Sequence, residues 1–95
     1  MPAYGVALVN ITDPGKYQEY TKLAGPAATK YGGKVVCRGV VESVNEGKGP
    51  YTRVMVVEFA TVEAAKAFYA SPEYVEAREK RIGAADFNML IVDGS

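Results

Sequence analysis

Residues 53–81, RVMVVEFATVEAAKAFYASPEYVEAREKR, organise the reading of this 95-residue chain. The first part, Arg53 to Ala60, is rich in β-branched and aromatic residues and carries one carboxylate, Glu58, in an otherwise apolar run. That is the pattern of a central strand with a single polar exception. Two helix starts follow. Thr61 precedes Val62-Glu63-Ala64-Ala65, and then Ser71 stands as an N-cap with Pro72 in the first helical position and Glu73 in the first turn.

Working outward, Ala3 to Ile11 alternates loosely as a strand, and Asp13-Pro14 supplies a cap and a first-turn proline for a helix. Along that helix Tyr17, Tyr20, Leu23 or Ala24, Ala27 and Tyr31 recur every three to four residues, which predicts a core-facing apolar stripe. Gly25-Pro26 predicts a kink or restart, because proline lacks the donor for the preceding turn, and Gly32-Gly33 predicts the helix end. A second strand is expected over Lys34 to Val44, and 45–50 has hairpin composition, so the second and third strands are neighbours and antiparallel. Gly83 closes the helical region and Phe87 to Val92 forms the last strand. The order β, α, β, β, α, β predicts one α+β domain over residues 1–95, a ferredoxin-like antiparallel sheet with its helices on one face.

Strand alternation sorts side chains between the two faces. Gly5, Ala7, Val9 and Ile11, then Val35, Cys37, Gly39 and Val41, then Met55, Val57 and Phe59, then Phe87, Met89 and Ile91 are expected under the helices. The opposite face receives Tyr4, Val6, Leu8 and Asn10, Arg38 and Glu42, Val54, Val56, Glu58 and Ala60, and Asn88, Leu90 and Val92. Left in water this would be a large apolar patch, so a second copy is expected to cover it, sheet to sheet, as a two-fold homodimer. A hairpin centred near Lys48 would set Arg38 directly opposite Glu58 on the open face. Such a pair has two readings. It neutralises charge in the dimer interface, or Arg38 binds an anionic or carbonyl-bearing ligand while Glu58 acts as base.

Composition narrows the function classes. Lys plus Arg equals Asp plus Glu at 11 each, with no basic stripe, which argues against nucleic acid as a partner. The absence of an apolar run of membrane length and of a signal-peptide pattern leads to the expectation of a cytoplasmic protein without a membrane partner. A lone Cys37 reads as an inert core thiol. No histidine is present, so imidazole bases, Ser-His or Cys-His pairs and the usual haem and zinc ligands have no support; no cofactor or metal is expected. Seven tyrosines supply phenols instead, of which Tyr4, Tyr69 and Tyr74 are candidates to line a pocket. Tyr74, Arg78 and Arg81 share one helical face and could clamp an anion, against the plainer expectation of a solvated Arg78 and a salt-bridged Arg81.

Tyr4, Thr12-Asp13-Pro14, Tyr17 and Tyr20, Lys30-Tyr31-Gly32-Gly33, Arg38-Gly39, Glu46-Gly47, Val57-Glu58-Phe59, Ala64-Ala65 and the Tyr69-x-Ser71-Pro72-Glu73-Tyr74 segment with Arg81 resemble domain-of-unknown-function family 1330 over nearly the whole chain. The resemblance implies the dimeric α/β-barrel superfamily, in which two ferredoxin-like sheets pair. Relatives there include cofactor-free monooxygenases, small-molecule isomerases, dechlorinases and haem-degrading enzymes, the last being disfavoured by the missing histidine. By analogy of fold, Arg38 and Glu58 become candidate catalytic residues, and Tyr4, Tyr69, Tyr74 and Arg81 candidate substrate-binding residues. The function expected is cofactor-free isomerase or monooxygenase chemistry on a small anionic or oxygenated compound, the alternative being a non-catalytic ligand-binding or assembly module.

Overall fold

In the computed structural model, which describes residues 2–47, 49 and 51–94, seven elements follow one another: β1 (Ala3–Ile11), α1 (Pro14–Lys30), β2 (Lys34–Val40), β3 (Arg53–Phe59), α2 (Val62–Ala70), α3 (Pro72–Arg81) and β4 (Ala85–Asp93). The strands form one antiparallel sheet in the order β2-β3-β1-β4, the ferredoxin-like arrangement expected from the sequence. Among the described residues no helix is long and apolar enough to cross a membrane.

Local chemistry accounts for the helix boundaries. Asp13 accepts a hydrogen bond from the Lys16 backbone N–H at 3.1 Å, and Thr61 accepts from that of Ala64 at 3.0 Å. Ser71 serves two helices at once. Its hydroxyl donates to the Phe68 carbonyl at the end of α2, at 2.7 Å, and accepts from the Tyr74 N–H at the start of α3, at 3.1 Å. Of the kink or restart expected at Gly25-Pro26, a restart does not occur: α1 runs as one helix with Pro26 inside it. Gly32 follows with φ +84°, the left-handed conformation that lets the chain leave the helix without strain. The Lys30 ammonium and the Tyr31 hydroxyl both bond Glu73, tying the end of α1 to the first turn of α3.

In β1 every other residue from Ala3 to Val9 is buried, so this strand presents the faces expected of it. The core gathers Phe59, Phe68, Tyr20 and Tyr74 with small residues from the helices and β1. On the open face Leu90 and Val92 remain 48% and 44% exposed.

One strand departs from the expected alternation. Lys34 pairs with Glu58 and Val35 with Val57, but the next aligned pair is Cys37 with Val56, so Val36 is an extra residue in a β-bulge. After it Arg38 pairs with Met55 and Gly39 with Val54. Because side chains alternate with period two, the inserted residue exchanges the faces of everything that follows. Arg38 therefore lies with Met55 on the helix side, while Cys37 and Gly39 lie on the open side, and the Cys37 thiol is exposed rather than in the core. The expected Arg38–Glu58 cross-strand pair does not form, since Glu58 faces Lys34 and Tyr4 instead. The strand also ends at Val40 rather than Val44. Lys48, taken from the sequence as the hairpin centre, lies outside the described residues.

Candidate functional site

Between the sheet and α1 lies a cavity of about 170 Å³. It follows from spacing and side-chain size. The backbone of α1 approaches α3 far more closely than it approaches the strands. Gly5 and Ala7 in β1 and Ala24 and Ala28 in α1 then leave the gap unfilled. Met55 and Val57 from β3, Phe87, Met89 and Ile91 from β4, and the rings of Tyr17, Tyr20, Phe68 and Tyr69 supply apolar walls. A dry apolar cavity of ~150 Å³ is known to hold one benzene ring, so a single ring sets the scale of what fits.

Among the described residues, Arg38 is the only charged side chain in this lining. The bulge at Val36 turned it inward, and no carboxylate lies within ion-pairing distance of it among the described residues. Polar partners are few. The Thr21 hydroxyl donates to the Gln18 carbonyl at 2.9 Å and that of Thr29 to the Gly25 carbonyl at 3.2 Å, so both protons are committed to α1. Tyr69 differs, because Arg78 donates to its phenol oxygen at 2.9 Å and leaves the phenol proton available.

A second row of side chains braces the wall. The hydroxyls of Tyr20 and Tyr74 share a hydrogen bond of 2.9 Å, with the rings edge-on. Tyr74 is fully buried and does not reach the lining. Burial and the neighbouring Tyr74 phenol push Tyr20 far above the ordinary phenol value; burial likewise raises Tyr74 and Tyr17. The shifts favour the neutral phenol, and Tyr20 and Tyr74 meet as a hydrogen-bonded pair. Behind them the Arg81 guanidinium lies 3.7 Å from the Phe87 ring centre and 5.2 Å from that of Tyr20, held by cation–π attraction. The salt bridge expected for Arg81 is absent among the described residues, and Arg78 is engaged by Tyr69 rather than simply solvated.

The residues singled out from the sequence thus fall into three places. Arg38 and Tyr69 line the cavity. Tyr74 and Arg81 stand behind its wall. Tyr4 and Glu58 pair across β1 and β3 on the other sheet face, with the phenol donating to the carboxylate at 3.5 Å. Tyr17 and Tyr20, read from the sequence only as a core stripe, prove to be lining residues; the accumulation of glycine and alanine opposite that stripe was the available sign of a hollow.

With this geometry in hand, the chain belongs to the family described as domain of unknown function DUF1330, which it matches over residues 2–95. No functionally curated protein matches the sequence. Among solved structures, the RPA0582 protein of unknown function from Rhodopseudomonas palustris is 25% identical with a TM-score of 0.82, the alignment covering 99% of this chain and 82% of that one. A dimeric ferredoxin-like protein of unknown function from Jannaschia is 10% identical with a TM-score of 0.75, covering 98% and 99%. SnoaB, a cofactor-independent oxygenase from Streptomyces nogalater, is 8% identical with a TM-score of 0.70, covering 99% and 93%. The last two share the fold.

Proposed function

We propose that this protein binds a compact, single-ring-sized anionic or oxygenated organic compound in the cavity beneath α1, and acts on it as a cofactor-free enzyme of isomerase or monooxygenase type. The observation that carries the reading is an apolar cavity whose one charged lining residue is an unpaired guanidinium, Arg38. Arg38 is itself exposed, so solvent partly screens its attraction for negative charge on a ligand oxygen, and its planar fork of donors supplies the orientation. Arg38 would hold an enolate, phenolate or carboxylate, and Tyr69 would donate a second hydrogen bond. The likeness in fold to a cofactor-independent oxygenase is consistent with chemistry carried by the substrate's own anion.

A second reading, a binding module without turnover, has its own support. Among the described residues no carboxylate lines the cavity, and burial favours the neutral form of its Tyr17 and Tyr20 phenols, a poor proton acceptor. The working unit in either reading is a homodimer joined through the open sheet faces, with Tyr4 and Glu58 as polar points of that interface; the apolar character of this face and the dimeric ferredoxin-like neighbours support it.

The test is a thermal-shift screen with phenols, small lactones and ring carboxylates on the wild type and on Ala28→Leu, which fills the cavity. Ligands should raise the wild-type midpoint and leave the variant unmoved; equal shifts in both would place binding elsewhere. Consumption of a hit under air, weakened in Arg38→Gln, would favour the enzyme, and binding without consumption the module. A monomeric mass at micromolar concentration would contradict the dimer.

A further inference from the structure

A groove of about 500 Å³ continues outward from the cavity, sharing Tyr17, Thr21, Arg38 and Met55 with it. Gln18 and Arg53 line the groove but not the cavity. Arg38 thus stands at the junction of two chambers, and Arg53 stands further out.

The sheet register explains how the two arginines come together. Arg38 pairs with Met55, and Arg53 lies two residues before Met55, so the two occupy diagonal positions on one face of neighbouring strands. Such positions are about 7–8 Å apart, within the joint reach of two arginine side chains. Like charges so placed repel. Yet among the described residues neither guanidinium is paired with a carboxylate and no acidic side chain lines the groove. Two planar forks opening on one channel can each donate to one oxygen of a single carboxylate or bind it bidentately.

We propose that the ligand is two-ended: a compact apolar ring seated in the cavity, and a carboxylate on a short linker gripped by Arg38 and Arg53 in the groove. Its class is that of arylalkanoates and arylacrylates. This rests on the reading of the cavity as a ligand site and adds the acid group and the second arginine to it. The groove is open to solvent and would not hold a second ring dry, whereas an extended acid tail leaves the guanidinium groups partly solvated, as their exposure requires.

The experiment is calorimetric titration of the wild type, Arg53→Gln and Ala28→Leu with 3-phenylpropanoate, its neutral amide, and benzyl alcohol. Arg53 is exposed, so its variant should keep the wild-type melting midpoint and circular dichroism spectrum. The acid should bind the wild type at least about tenfold more tightly than the amide, as charge-assisted hydrogen bonds exceed neutral ones. Arg53→Gln should erase most of that advantage while leaving amide and alcohol unchanged, and Ala28→Leu should weaken all three. Added salt should weaken the acid alone. Equal affinity for acid and amide, or an Arg53→Gln variant that binds the acid as the wild type does, would overturn the two-arginine grip while the cavity reading stands. Acid binding that survives Ala28→Leu unchanged would leave only an anion site in the groove and overturn the two-ended ligand. Absence of binding by all three compounds to the wild type would overturn the cavity reading itself and this inference with it.

Discussion

Arg38 and Glu58 occupy opposite faces of the same sheet, one turned toward the helices with Met55 and the other toward the open side with Tyr4. The separation divides the polar residues of the strands between two faces. Arg38 lines the cavity, and Glu58 lies on the open face. The two charges are therefore separable by mutation.

Glu58→Gln should leave ligand affinity in the cavity within about twofold of wild type, because the carboxylate lies across the sheet from it. Its effect should fall on association of the open faces, read as a shift in the dimer dissociation constant by analytical ultracentrifugation. A tenfold loss of ligand affinity at constant dimer content would link the two faces and contradict the separation.

The Tyr20–Tyr74 hydrogen bond invites a double-mutant cycle. Tyr20→Phe leaves the fully buried Tyr74 hydroxyl without its partner, a loss expected to cost about 1–3 kcal/mol. Tyr74→Phe has the mirror effect. The double variant should be less destabilised than the sum of the two, since neither unpaired hydroxyl remains. Chemical denaturation measures all three, and strict additivity would mean that the hydroxyls do not depend on each other.

Ser71→Ala removes one hydroxyl from the ends of two helices and should lower stability by about 1–2 kcal/mol. For a domain of this size each kcal/mol corresponds to roughly 4–8 °C in the melting midpoint. Thr61→Ala removes a cap from one helix only and should cost less. A Ser71 variant no worse than the Thr61 variant would show that the shared cap confers nothing extra.

Alkaline pH should destabilise the fold through its buried phenols. Tyr17, Tyr20 and Tyr74 all have folded-state values above the unfolded 10.0, so the folded chain retains protons that the unfolded chain releases. Their contribution is complete below that value and declines as pH rises above it. Melting midpoints measured across this range should fall more steeply in the wild type than in the Tyr20→Phe, Tyr74→Phe double variant. Spectrophotometric titration should show these tyrosines ionising late or only upon unfolding.

Much of the architecture could be read from side-chain type alone. β1 pairs with β3 and with β4 without any register shift, so faces assigned from sequence in these strands agree with the structure. In β2 the same reasoning failed after Val35. The bulge falls in Val35-Val36-Cys37, three small apolar residues with no glycine or proline to mark an insertion. Had pairing continued from Val35 and Val57 without it, Arg38 would have met Val54 on the side of Glu58. The cavity was illegible for another reason. It depends on how far α1 stands from the sheet, a distance set by packing on α3 and by the absence of side-chain volume at positions such as Gly5 and Ala28. Ser71-Pro72-Glu73-Tyr74, by contrast, could be read as a helix start because its chemistry is local.

The extra residue at Val36 also bears on how relatives are compared. An alignment that runs β2 without a gap against a homologue lacking the bulge will place an open-face residue of that homologue in the column of Arg38. Loss of the arginine would then be inferred where only the register had changed. Equivalence at this position is better judged by which residue lies opposite Met55 than by counting along the chain.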